Sequence, residues 1–147
     1  MMKWILPLLL VLVACVKEDT TPEGALKTFA TSRIGHVVDR DFILSKVTGN
    51  LKASLENVSQ EEFEKFADMR NIKQDSFKIL TKSCIEEEKK CNITYSLAYK
   101  TEENNKSVFS SEVKKVAELI QQEDGTWLIS DVTNIKTFHE SLDPLSP

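Results

Sequence analysis

The chain predicts an α+β fold in which N-terminal helices pack on a curved antiparallel sheet of three to four strands. Three observations carry that expectation. As far as Asn71, apolar residues recur three and four apart, the spacing of helix faces. From about Lys73 the period shortens to two, most plainly in Ile93-Thr94-Tyr95-Ser96-Leu97-Ala98-Tyr99. Asp124-Gly125 then precedes an aromatic and β-branched run, the composition of a hairpin turn. Helices first and strands afterwards segregate into one layer each.

Each element has a local reason. Thr21-Pro22-Glu23 opens the first helix with an N-cap, a proline at the first position and an acid on the positive end of the dipole. Ala25, Leu26, Phe29 and Ala30 form its apolar face, Ile34 extends it, and Gly35 marks its end. Asp39 or Asp41 caps a shorter helix that buries Phe42, Ile43, Leu44 and Val47, and Gly49 supplies a left-handed stop. Leu51 and Leu55 are an i,i+4 pair on a third piece. Ser59-Gln60-Glu61-Glu62 is a capping box, and the helix it opens points Phe63, Phe66 and Ala67 inward.

The strands follow. Phe77 and Ile79 alternate with Lys78 and Leu80, and Thr81 to Cys84 leads into the charged connector Ile85-Glu86-Glu87-Glu88-Lys89-Lys90. Ile93, Tyr95, Leu97 and Tyr99 share one face of the clearest strand. Val113, Val116, Ala117 and Ile120 also fit a helix face, but a hairpin at Asp124-Gly125 needs a strand on both sides. Residues 109–121 are therefore expected as strand. Ile135 and Phe138 are the expected last apolar anchors, with residues 139–147 a loose tail.

The start of the chain sets the compartment. Lys3 is followed by an apolar run from Ile5 to Val13, broken only by Pro7. That run is shorter than the roughly 20 residues a membrane span needs and has the flanks of a signal peptide. Leu12-Val13-Ala14-Cys15 resembles the lipobox of bacterial lipoproteins, in which the cysteine thiol is acylated and becomes the first mature residue. The resemblance implies a signal peptide over residues 1–14, a lipidated Cys15 with a short tether over 15–21, and a single domain over 22–138. Two or more acyl chains hold where one holds only marginally. By resemblance to sorting in enteric bacteria, Val16 after the cysteine implies the outer membrane, facing the periplasm.

An exported chain with Cys15 acylated leaves Cys84 and Cys91 as an even pair in an oxidising compartment. A disulfide across the charged connector is the expected state; two reduced thiols and a metal-binding pair are the alternatives. Zinc would need two more ligands, and no His or other Cys lies near them in sequence. The formal net charge is −4 over 147 residues, and loss of the signal makes the mature chain more acidic by one charge. Nucleic acid, which needs a basic face, is not an expected partner.

Thr21-Pro22-Glu23 with Ala25 and Phe29, together with Ala117-Glu118-Leu119-Ile120 and Glu123-Asp124-Gly125-Thr126-Trp127-Leu128-Ile129, resembles small bacterial lipoproteins of the cystatin-like, nuclear-transport-factor-2-like superfamily. The likeness spans about Pro22 to Phe138. It implies a cone-shaped sheet and a binding or accessory module for a protein partner or small ligand. Isomerases, dehydratases and subunits of larger assemblies are the other roles found in that superfamily. An enzyme of the fold would place an Asp–His or Asp–Tyr pair in the cone. His36 and His139 are the two histidines and read as turn or surface residues. Tyr95 and Tyr99 could line a pocket with Trp127, or pack under the helices. Glu86-Glu87-Glu88 reads as a solvated tip. The sequence has no Gly-rich phosphate loop, no Gly-x-Ser-x-Gly and no His-Glu-x-x-His. No catalytic residue, metal or cofactor is implied.

Overall fold

Four long strands form one antiparallel meander: β1 (Ile72–Ile85), β2 (Lys90–Glu103), β3 (Lys106–Gln121) and β4 (Trp127–Ser141), in the order β1-β2-β3-β4. The computed structural model describes residues 18–142, so the expected signal peptide, Cys15, most of the expected tether and residues 143–147 lie outside the described residues. Ahead of the sheet come a 3-10 turn (Glu18–Thr20) and four helices: α1 (Pro22–Thr31), α2 (Arg40–Leu44), α3 (Gly49–Asn57) and α4 (Gln60–Ala67). The class is α+β. Among the described residues no helix is long and apolar enough to cross a membrane.

The starts of α1, α2 and α4 are those the sequence marks, whereas Gly49, expected as a stop, is the first residue of α3 behind a Thr48 whose side chain makes no capping bond. The Gly24 amide donates to Thr21 Oγ1 at 3.1 Å, and the Phe42 amide donates to Asp39 Oδ1 at 2.7 Å. The capping box is complete: the Glu62 amide donates to Ser59 Oγ, and the Ser59 amide donates back to Glu62 Oε2. The end of α1 comes earlier than Gly35. The helix stops at Thr31, and a turn carries the chain to Gly35, whose φ of +77° suits a residue without Cβ.

Arginine 40 makes a connection the spacing does not reveal. Its Nη2 donates to the carbonyls of Leu55, Glu56 and Val58 at 2.7 to 3.0 Å, serving acceptors that the last turn of α3 leaves without helical donors. The same guanidinium lies 5.0 Å from the Phe63 ring centroid. One side chain thereby ties α2, α3 and α4 together.

The sheet's inner face follows from the register. Cys84–Cys91–Leu119–Ile129 form its first row, Lys82–Ile93–Ala117–Val132 the second and Ile79–Tyr95–Lys115–Asn134 the third. Phe77–Leu97–Val113–Thr137 and Gln74–Tyr99–Ser111–His139 complete it toward the β2–β3 turn. Leu26, Ile43, Val47 and Phe63 from the helical layer meet Ile93, Leu119 and Ile129, all at 1% exposure or less. Full burial stabilises each such side chain by about 1.5–3 kcal/mol relative to exposure. The turn after α2 also joins the sheet: the Thr48 amide donates to the Ile129 carbonyl and the Ile129 amide to the Lys46 carbonyl. That contact covers the edge of β4 at its start and leaves its remainder open.

Three expectations are corrected. Phe66 is not an inward residue; it is 39% exposed, because the α4 stripe turns away at that position and Phe63 and Ala67 alone reach the core. Ile135 and Phe138 are not anchors: they are 51% and 58% exposed. Ile135 falls at the register shift between Lys114 and Lys115, and Phe138 stands opposite Glu112 on the outer face. Finally, His139, Glu140 and Ser141 belong to β4 rather than to a loose tail, because β3 is long enough to pair with them. Leu142 extends that pairing through its amide, which donates to the Val108 carbonyl.

Candidate functional site

The sulfurs of Cys84 and Cys91 are joined, the two residues standing opposite one another in register with their Cα atoms 4.0 Å apart. Of the states the sequence leaves open, the disulfide is the one present. Cys91 is buried at 1% exposure, whereas Cys84 is exposed. Beside this bridge lies a groove of about 490 Å³ that Pro22, Lys82, Lys89 and Trp127 help to line. The Glu86–Glu88 tip is exposed.

The three aromatics expected around one pocket are not brought together. Tyr95 is 3% exposed and packs its ring 5.5 Å from Phe77 under the helices. Tyr99 lies four residues further along β2, about 13 Å at strand rise, and is half-buried. Trp127 sits at the opposite end, in the disulfide groove. Alternation puts the tyrosines on one face, but it carries no information about where the helical layer stops covering that face.

It stops part-way. Along β2 burial persists through Cys91, Ile93, Tyr95 and Leu97 and weakens at Tyr99. Along β4 it fails sooner: Ile129 is buried, Val132 is half-buried, and Asn134, Thr137 and His139 are exposed. The β4 side of the inner face is thus open from Asn134 onward, while Leu97, Val113 and Ser111 in the neighbouring strands stay buried. On it, the Phe109 and His139 rings stack at 4.7 Å, and Ser111 Oγ lies 2.7 Å from His139 Nδ1. His139 is therefore a sheet residue with a partner. His36 is exposed and engages through its backbone, its carbonyl accepting from the Met69 amide.

Sequence reasoning missed two half-buried cations, Arg33 and Lys115. Arg33, just past α1, lies with its Cζ 5.1 Å from the Phe29 ring centroid and 4.5 Å from that of Phe66. Its Nε is fully shielded and has no hydrogen-bond partner among the described residues. Lys115 is half-buried on the inner face, directly opposite Tyr95. Burial holds the Arg33 pKa below its ordinary value, opposed in part by the Tyr95 phenol. Burial also lowers that of Lys115, and the Arg33 charge lowers it further. The Tyr95 phenol is pushed up to about 12 by burial, against the pull of the Arg33 charge. Among the described residues neither cation forms an ion pair. The signal available in sequence was slight: a lysine on the apolar face of β3, where 113, 117 and 119 are Val, Ala and Leu.

Two pairs tie elements together. Lys82 Nζ meets Glu23 Oε1 at 2.6 Å, tying α1 to β1, and Lys90 Nζ meets Glu118 Oε2 at 2.7 Å between β2 and β3. Ser130 Oγ adds a hydrogen bond to Glu118 Oε1 at 2.8 Å. Hydrogen bonding to Lys82 holds the Glu23 carboxyl below its usual range, and hydrogen bonds from Lys90 and then Ser130 do the same for Glu118. Among the described residues no group of three His, Cys, Asp or Glu side chains is placed to hold a metal ion. Compared with known proteins, the chain matches no family model, no curated protein and no solved structure.

Proposed function

We propose that this chain is a membrane-anchored cell-envelope lipoprotein, held through lipid on Cys15 at the outer membrane, whose domain is a non-catalytic binding module. Its occupant is a protein partner or small ligand of the envelope. The observation that carries the binding role is the half-covered inner face, where Tyr99 and Phe109 are half-buried and Thr137 and His139 open to solvent. Tyr99 still packs against the core, whereas the Phe109 ring lies outside it and stacks on the exposed His139. The four-stranded meander with helices against one face supports reading the fold as a cystatin-like, nuclear-transport-factor-2-like cone. The lipobox residues support the anchor.

The test is chemical crosslinking in intact cells with residues on the open face carrying the reactive group. A photo-crosslinker at Thr137 should capture a partner or small molecule, and one at the exposed α3 residue Lys52 should not. Equal capture from both positions, or none from Thr137, contradicts the proposal.

A second reading, a small enzyme of the same fold, is favoured by the Ser111–His139 contact. A hydroxyl within hydrogen-bond reach of an imidazole is the first requirement of an activated nucleophile. Against it, Ser111 is only 3% exposed. A fluorophosphonate probe that labels Ser111 and is blocked by His139→Ala would replace the binding reading with this one.

A further inference from the structure

We infer that the open edge of β4 is a dimerisation strand, pairing antiparallel with the same strand of a second copy across a two-fold axis at Phe138. β4 is the last strand of the meander, and among the described residues its free edge is met only at Ile129, by the turn after α2. From Lys136 to Ser141 the strand pairs with β3 without a register shift, and all of it is exposed. The Leu142 amide donates inward to the Val108 carbonyl, so alternation along an antiparallel strand turns the backbone groups of Thr137 and His139 outward. The opposite edge of the sheet is defended. β1 is interrupted by bulges at Asp75 and Leu80 and carries Lys73, Lys78 and Lys82, devices that stop a further strand from adding.

The occupant is a second copy because the segment is its own complement. On the outer face Lys136, Phe138 and Glu140 stand opposite Lys114, Glu112 and Ser110 of β3. Lys136 therefore has a like charge as its cross-strand neighbour, which destabilises a sheet. Among the described residues Lys136, Glu112 and Glu140 form no ion pair. A two-fold axis through Phe138 sets Lys136 of each copy opposite Glu140 of the other, so one operation supplies both counter-charges. Ser110, Glu112, Phe138 and Glu140 help to line a groove of about 510 Å³ that receives the incoming lysine. Phe138, 58% exposed and the most exposed large apolar side chain among the described residues, meets its counterpart at the axis. The same register makes Thr137 of one copy and His139 of the other a hydrogen-bonded pair, which uses the outward backbone groups. An axis one residue to either side brings no lysine to a glutamate, so the charges fix the register. The dimer uses the edge and outer face of β4 and is separate from the occupant proposed for the inner face.

The experiment is sedimentation velocity of the full mature protein in detergent, with Lys136→Glu, Glu140→Lys and an equimolar mixture of the two variants beside the wild type. The wild type should dimerise. Each reversal places like charges at both contacts of its own dimer and should weaken association by about 10-fold or more. The mixture should restore it, because the two variants complement one another at both contacts. Phe138→Cys should give a disulfide-linked dimer under mild oxidation, since residues at the axis face one another at about 4.5 Å between Cα atoms. Lys52→Cys, on the exposed side of α3, should not. Circular dichroism on every variant separates loss of association from loss of fold, and the Phe138→Cys link tests the axis even if a charge variant fails to fold. A wild type that stays monomeric up to about 1 mM, a dimer indifferent to both reversals, a mixture no stronger than its components, or equal linkage through Lys52→Cys would overturn the inference. A second copy captured from Thr137 is told from an envelope partner by its mass, so failure of the dimer leaves the binding-module reading to its own test.

Discussion

Tyr95 on β2 stands directly opposite Lys115 on β3, a buried phenol facing a half-buried amine. Both have pKa values displaced toward the neutral form, and in both burial is the leading cause. The pair has consequences for stability.

Removing the lysine charge should stabilise the free protein. Lys115 has a folded pKa below its unfolded value of 10.5. The charged form is therefore penalised in the fold at all lower pH, and the penalty fades as pH rises from the folded value to 10.5. Lys115→Met should raise stability at neutral pH by about 1 kcal/mol, read from denaturant midpoints. A destabilised Lys115→Met would mean the amine is already satisfied.

The tyrosine has the opposite alkaline sign. Its folded pKa of about 12 exceeds the ordinary 10.0. Its contribution is fully present below pH 10 and is lost as pH climbs toward 12. A spectrophotometric titration, with Tyr95→Phe as the difference, should show the Tyr95 step near 12. A step near 10 would show that the ring is hydrated.

On the acid side, Glu23 and Glu118 have folded pKa values below their unfolded ones. Each contributes stability present above the unfolded value of 4.5 and lost as pH falls through the folded value. Because both pairs are partly solvated, Glu23→Gln or Glu118→Gln should cost no more than about 1 kcal/mol at neutral pH. The two substitutions together should flatten the acid limb of a stability profile. An unchanged limb would assign acid lability elsewhere.

Arg40→Ala should be the costly surface substitution. It removes three hydrogen bonds to the end of α3 and the stack on Phe63, for a loss of about 2–3 kcal/mol in equilibrium unfolding. Arg40→Lys keeps the charge but not the fork and should recover less than half. A loss below 0.5 kcal/mol, on the order expected for an ordinary surface change, would contradict the clamp.

These contacts mark where the sequence is legible and where it is not. Thr21, Asp39, Ser59 and Glu62 act within their own turn, so local chemistry reveals them. Period two reveals the strand faces, and Asp124-Gly125 decides strand over helix for residues 113–120, which β3 contains. Phe66 and Phe138 were misplaced because their exposure depends on what the helical layer reaches, a property of neither segment alone. Tyr95 and Lys115 stand opposite one another only through the register in which β2 and β3 pair. Arg40 likewise reaches 15 to 18 residues ahead. Such meetings are set by tertiary packing and leave no periodic trace.

The central claim, an envelope module tethered by lipid, turns on Cys15. Intact-mass measurement of the protein extracted with detergent from its native membranes tests it most directly. The account predicts a chain beginning at Cys15 with at least two acyl chains on that residue and a mass two hydrogens below the reduced form for Cys84–Cys91. A chain that retains Met1, or that carries Cys15 unmodified, would contradict it.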